Sequence, residues 1–327
     1  MSANVVTSEE NIVTSEKNNV KLKEIIVTPK ENRIKSSIPR KIFVAFNYTL
    51  LTLLAIVFIL PVVHVFFSSI SDPYWLNTKS GLVLWPHGVN FTGYKLVFNN
   101  QDLMRGFGNT VFYVVAATVI GLLTTIIGAY VLSRRDMLFA DVIMMLISFT
   151  MIFGGGIIPS YIIMQKLHLL NTRWAVILPA CVSTYNLIIM RTAFASVPPS
   201  LEESARLDGA GDLTVIFKVL LPLVKASVAT IALYYIIQHW NSWFQAAMYL
   251  QDRELFPLQL VLREILIVND ANTAASMTAL DAVSDVNAYK QLVKYAVIIV
   301  SSAPMIVVYP FIMKYFESGV MVGAVKG

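Results

Sequence analysis

Apolar residues arrive in this chain in blocks long enough to cross a bilayer, and that pattern leaves few folds open. Six blocks fall at about 42–69, 107–132, 139–164, 174–194, 224–249 and 292–315, and a helical crossing takes about 20 apolar residues. In hydrocarbon the backbone must satisfy its own hydrogen bonds, so each block is predicted to be helical. A membrane β-barrel would show short alternating segments instead. The 327 residues are 56% hydrophobic and 14% charged, too little charge to coat a soluble surface of that size. The expected fold class is therefore all-α integral membrane, with six transmembrane helices.

The net charge of +5 lies in short segments between the blocks, with no patch of bases and interleaved aromatics, so lipid and not nucleic acid is the expected environment. Bases concentrate on one side: Lys30, Arg33, Lys35, Arg40 and Lys41 before the first span, Arg134 and Arg135 after the second, Arg191, Arg206, Lys218 and Lys225 after the fourth. The positive-inside rule makes that side cytoplasmic and puts both termini there. Residues 1–41, polar and nearly self-duplicating, are expected to be a mobile tail with no cleaved signal. A six-span unit follows over 42–318, and 319–327 form a second cytoplasmic tail. The 70–106 loop, with Pro73, Trp75, Trp85, Pro86 and Tyr94, reads as an interfacial anchor, with ligand contact as an alternative. Gly154-Gly155-Gly156 with Pro159 predicts a kink or close helix packing, and a gating hinge is left open.

Cys181 is the only cysteine, which excludes an intramolecular disulfide or a thiolate metal cluster; it reads as a small buried side chain. His64, His87, His168 and His239 have no metal-ligand spacing, so no metal site is expected. No phosphate-loop pattern and no nucleophile elbow occur, so neither ATP binding nor substrate chemistry is expected on this chain.

The segment 196–222 departs from the rest because it is polar. Pro198 and Pro199 stop the preceding helix, Ser200 is placed to cap a new one with Glu203 three residues later as a capping box, and Gly209 supplies its stop. The prediction is a stiff helix of two to three turns.

Glu203-Ser204-Ala205, Gly209, Val219 and Leu221-Pro222 keep the spacing of a known signature. The run resembles the EAA loop of binding-protein-dependent ABC importer permeases, with Ser204 and Val219 as conservative departures. Asn109-Thr110, the stretch Ala129 to Arg134, Trp240-Asn241-Ser242-Trp243 and the Gly323 to Gly327 end are similar to the maltose-type carbohydrate branch, nearest its oligosaccharide permeases. The resemblance covers residue 42 to the end.

That resemblance implies a type I importer permease fold and a subunit of an ATP-driven importer in a bacterial cytoplasmic membrane. It implies a second, different permease, two copies of an ABC ATPase that carries the ATP and Mg, and an extracytoplasmic solute-binding protein. No cofactor is implied on this chain. Glu203, Ser204, Ala205, Asp208, Gly209, Ala210, Leu221 and Pro222 would form the ATPase-coupling surface. Polar groups within the fifth block, Gln238 and Asn241 with Trp240 and Trp243, suit the hydroxyl rims and CH faces of a sugar, although helix packing accounts for them equally well. An oligosaccharide is the expected cargo, with a peptide or another solute as the alternative. An ion-driven transporter would need buried carboxylates or broken helices in matching halves, and the sequence has no such halves.

Overall fold

The computed structural model describes residues 38–134, 136–267 and 283–324. The expected N-terminal tail up to residue 37 lies outside them, and residues 38–41 are already helical. All regular structure among the described residues is helical.

The chain divides into two compact units, Met1–Ile59 and Leu60–Gly327. Helix α1, Ile38–Ser69, begins in the first. Every residue from 38 to 59 is exposed there, on all faces of an apolar helix, a pattern suited to lipid or to another chain.

The second unit continues with α2 (Pro73–Thr78), α3 (Thr92–Asn99), α4 (Gln101–Ser133), α5 (Ala140–Ile152), α6 (Ile157–Lys166), α7 (Arg173–Ala180) and α8 (Thr184–Ala195). After these come α9 (Pro199–Leu207), α10 (Asp212–Leu223), α11 (Lys225–Trp240), α12 (Phe244–Tyr249), α13 (Leu258–Ile267) and α14 (Val283–Ala324). The 33-residue α4 is the axis of this unit, packed by α8, α11 and α13. It can be approached closely because small residues line its contacts. A Cβ on Gly121 would meet the Cys181 carbonyl oxygen and the Tyr235 ring at 3.0 Å. At that crossing the Tyr235 hydroxyl bonds Thr125 Oγ1 at 2.8 Å and accepts from the Ser183 amide at 3.2 Å, tying α11 to α4 and to the start of α8. One apolar cluster joins Ala129, Met190, Phe194, Val215 and Ile231 towards one end of α4. A second joins Leu103, Trp240, Leu258 and Val297 towards the other.

Three helices are long and apolar enough to span a membrane alone, and three bent pairs bring the number to six if each pair is one span. The first, second and sixth blocks are thus single helices, the last extended to Val283–Ala324. The third, fourth and fifth are not straight, contrary to what hydropathy suggests. Between α5 and α6 the chain turns by 112°. Gly154 and Gly156 have nothing within 4 Å of a built Cβ, and Gly156 takes a φ of +87°. The triple glycine is therefore a bend and not a close-packing surface. The α7–α8 pair bends by 45° after Pro179, and α10–α11 by 90° at Val224, just past Pro222.

The fifth block, read as one helix over 224–249, stops at Trp240 and resumes at Phe244. Asn241 Nδ2 donates to the Ile237 carbonyl at 2.9 Å, a local bond that competes with the helix ladder. Of the aromatic loop, Trp75 stacks on His87 at 4.8 Å, Tyr94 bonds Ser69 Oγ at 2.7 Å, and Trp85 is left exposed.

Candidate functional site

Two features stand out: a short helix clamped to one end of α4, and a cleft where broken helices meet. The helix is α9. Pro198 occupies its N-cap position and Pro199 its first turn, with no side-chain cap bond. The expected capping box of Ser200 and Glu203 is therefore absent. Proline is pre-set for the first helical position, so the helix starts before Ser200 can cap it. Its end follows expectation: Gly209 has φ +84°, the Ala210 amide reaches the Ala205 carbonyl at 3.0 Å, and the Gly209 amide reaches that of Arg206 at 3.0 Å. These two bonds form a Schellman closure, which needs a left-handed residue at that point.

The glutamate that turns inward is Glu202, which sequence reasoning missed; Glu203 stays exposed. Glu202 is 7% exposed. Tyr130 Oη donates to its Oε1 at 2.8 Å, and Arg206 Nε and Nη2 donate to the same oxygen at 3.2 and 3.1 Å. Arg134 pairs with the other oxygen and lies over the Tyr130 ring, 4.4 Å from its centroid. Arg206 Nη2 also donates to Asp212 Oδ1 at 2.7 Å, closing the loop onto the start of α10. Burial lowers the pKa of Arg134 and the hydrogen bond to Tyr130 raises that of Arg206; both remain cations. One carboxylate facing two guanidiniums and a phenol is a compact charge-assisted cluster. It fixes α9 to the last turn of α4, whose Leu132 carbonyl takes a 2.8 Å bond from Arg191 Nε.

The expected coupling residues fall into two groups. Glu203, Ser204, Asp208, Gly209 and Pro222 are exposed, whereas Ala205, Ala210 and Leu221 are half-buried against the apolar cluster and seat the segment. Two leucines missing from that set join the exposed side, Leu207 at 90% and Leu213 at 67% exposure. Leucines within so polar a run were a signal in the sequence, as was the spacing of Tyr130 and Arg134, which puts them on one helix face.

At the opposite end, α4 holds the segment before α13. Asn109 Nδ2 donates to the carbonyls of Glu254 and Phe256 at 2.7 and 3.1 Å, Thr110 Oγ1 accepts from the Leu258 amide at 2.8 Å, and Tyr113 Oη donates to the Leu255 carbonyl at 2.8 Å. Arg253 bridges Asp102 at 2.8 Å and Glu264 at 2.9 Å.

The cleft, of about 460 Å³, is lined by Gly156, Ser160, Pro179, Gln245, Met248 and Tyr249, among others. Its walls come from the α5–α6 bend, the α7–α8 bend and the resumption of the helix at α12. Irregular backbone at membrane depth is tolerated only inside protein or against water, so three breaks around one polar-edged cleft make it the candidate place for a solute or water path. Two other clefts, of about 280 and 410 Å³, are walled almost wholly by apolar side chains such as Phe98, Met104, Val115 and Pro304, and suit acyl chains better than sugars.

The four residues expected on a path are not brought to one place. Trp240 packs into the core edge-on to Phe107, while Gln238 and Asn241 are exposed one turn apart. Trp243 lies half-buried under Arg263, whose guanidinium carbon is 3.8 Å from the ring centroid. No group of three or more His, Cys, Asp or Glu able to hold a metal occurs among the described residues.

Residues 137–322 match the family described as "Binding-protein-dependent transport system inner membrane component". The chain is 36% identical over 287 residues to the polygalacturonan/rhamnogalacturonan transport system permease protein YtcP of Bacillus subtilis (strain 168), covering 88% of this chain and 99% of that one. It is 35% identical to the protein LplC of the same organism, over 88% and 96% of the two chains. Among solved structures it is similar to a bacterial ABC transporter involved in the import of the acidic polysaccharide alginate, with a TM-score of 0.79, 33% identity and coverage of 86% and 99%.

Proposed function

The chain belongs to the family of binding-protein-dependent transport system inner membrane components, and from that premise we propose that it moves an oligosaccharide inward by borrowing the work of an ATPase on α9. It is a membrane transport subunit of an ABC importer, and relatives such as YtcP and the alginate importer are named for polysaccharide transport. The proposal supplies the parts: a second, different permease beside this one, two ATPase copies with ATP and Mg, and a solute-binding protein on the far side. Both termini and α9 face the cytoplasm, in keeping with the clustering of Arg134, Arg191, Lys218 and Lys225 at that end.

The carrying observation is the division of labour on α9. One face is locked to α4 through Glu202, while Glu203, Leu207 and Asp208 are presented outward. A helix that is stiff, anchored and half apolar on its free face is suited to seat in a groove of another protein. Glu203 would meet a basic group there, with Ser204 and Gly209 allowing close approach; Ala205, Ala210 and Leu221 hold the segment in register, and exposed Pro222 joins the outward side. Closure of the ATPase pair would move the two α9 elements, and with them α4 and the broken helices around the cleft, switching its access from one side to the other. Gln245 and Ser160 line the cleft and would serve the passage, whereas Gln238, Asn241 and Trp243 would contribute only where the fifth span breaks, and Trp240 packs in the core.

Uptake into vesicles holding the whole importer tests this. Transport should require ATP and be abolished by Glu203→Lys with assembly intact. Uptake that persists without ATP, or affinity purification that brings down neither an ATPase nor a second permease, would overturn the reading.

A further inference from the structure

The two apolar clefts, of about 280 and 410 Å³, adjoin along α4 and α14, and Pro304 of α14 borders both. On α4 the lining residues Met104, Phe107, Val111, Val115 and Val119 recur every three or four positions, which is one face of the helix. From Met104 to Val119 that face runs about 22 Å at 1.5 Å per residue, against about 30 Å for the hydrocarbon core of a bilayer. The clefts are therefore two stretches of one groove at membrane depth.

Its chemistry and its width select the occupant. Met104, Val111, Val115 and Val119 are each more than 40% exposed, so the groove opens sideways. Ser301, a polar residue on its wall, turns its hydroxyl back to the Ile298 carbonyl at 3.0 Å. Sugar or water would find no hydrogen-bond partner there, and burying a polar group without one is costly. A helix 10 Å across and of the same length displaces about 1,700 Å³, several times what either cleft holds. An unbranched hydrocarbon chain is narrow and has no hydrogen bonds to satisfy. At the α3 end the lining begins with Val97 and Phe98. Lys95 precedes Phe98 by three residues, on the same side of α3. It is exposed and makes no salt bridge among the described residues, whereas Arg105 pairs with Glu254. A lysine beside the mouth of an apolar groove complements a phosphodiester with its chain.

We infer that the groove between α4 and α14 holds one acyl chain of an anionic glycerophospholipid, with the headgroup phosphate at Lys95. The site depends on the membrane setting of these helices and is independent of the cargo.

The test uses the assembled importer in nanodiscs of dioleoylphosphatidylglycerol, imaged by cryo-electron microscopy and then weighed by native mass spectrometry. A tube of density one chain wide should run from Val119 to Met104 and end at Lys95, with one lipid retained per copy of this subunit. Val115→Trp, which fills the groove from an open position, should lose that lipid while the assembly keeps its composition. Leu123→Trp, on the same helix but outside both clefts, should retain it. In nanodiscs of equal dioleoylphosphatidylglycerol and dioleoylphosphatidylcholine, the anionic lipid should be retained about fivefold over the zwitterionic one, the effect of one basic residue on an anionic headgroup. Lys95→Ala should bring that ratio to about one with the chain still bound. Helical density in the groove, supplied by a partner permease, or equal lipid retention by Val115→Trp and wild type, would overturn the acyl-chain site. A ratio near one in the wild type would overturn the anionic headgroup at Lys95.

Discussion

Replacing Glu202 by alanine should loosen α9 far more than any change on its outward face. The carboxylate accepts from Tyr130 and twice from Arg206, pairs with Arg134, and is 7% exposed. Its loss leaves Arg134, with a side chain only 22% exposed, uncompensated. Breaking a buried pair from one side costs about 3–5 kcal/mol. The share from Arg206 is smaller because that side chain is 49% exposed and screened by water. A net loss of about 3 kcal/mol follows, which is about a hundredfold in the equilibrium between seated and released α9. Hydrogen exchange of the Asp208, Gly209 and Ala210 amides, whose acceptors lie within the helix closure, reads that equilibrium directly. In the assembled importer their exchange should accelerate about a hundredfold. Arg134→Met with Glu202→Leu, which removes both charges and keeps the volume apolar, should recover most of the protection. Exchange within threefold of wild type in Glu202→Ala would refute the idea that this cluster is what fixes α9.

Four further outcomes are expected. Glu203→Lys should leave hydrogen exchange of α9 unchanged while abolishing ATP-dependent uptake, because the side chain touches nothing that holds the fold; a matching loss of protection would count against its outward role. Gly209→Ala should cost about 1 kcal/mol through the left-handed backbone alone, since nothing lies within 4 Å of its Cβ position, and Gly209→Pro should unseat the helix end altogether, both visible as exchange at Ala210. Gly121→Val should lower the midpoint of thermal unfolding by overpacking against Cys181 and Tyr235, a cost of about 1–3 kcal/mol, whereas Gly108→Ala, with open space at its Cβ, should not. Cys181, 3% exposed, should resist a maleimide in the assembled state and react once the subunit unfolds; rapid labelling of the native complex would contradict its burial.

The sequence disclosed the helical character of the chain, the stop at Gly209 and the polar segment 196–222, because each rests on local physics: block length, left-handed backbone, and polarity between apolar runs. It did not disclose which glutamate faces inward. Glu202 and Glu203 lie 100° apart on the helix, and only the arrival of Tyr130 and Arg134 from α4 decides between them. Of the three broken spans it signalled one, the kink at Gly154 to Gly156 with Pro159. A hydropathy window sums composition and is blind to direction, so Pro179 and Asn241 passed as parts of continuous helices. Trp240 and Trp243 look equivalent in the sequence, three residues apart in one polar motif. The interruption between them sends the first into the core beside Phe107 and the second to Arg263.

Helix α4 binds one partner segment near each of its ends: Tyr113 holds the Leu255 carbonyl, and Tyr130 holds Glu202. The two tyrosines are separated by about 25 Å of unbroken helix, at 1.5 Å per residue. A rigid tilt imposed where Tyr130 sits would carry Tyr113, and with it the strap at Leu255, along the same axis. The two ends of the helix would then keep time with one another without a relay of side chains.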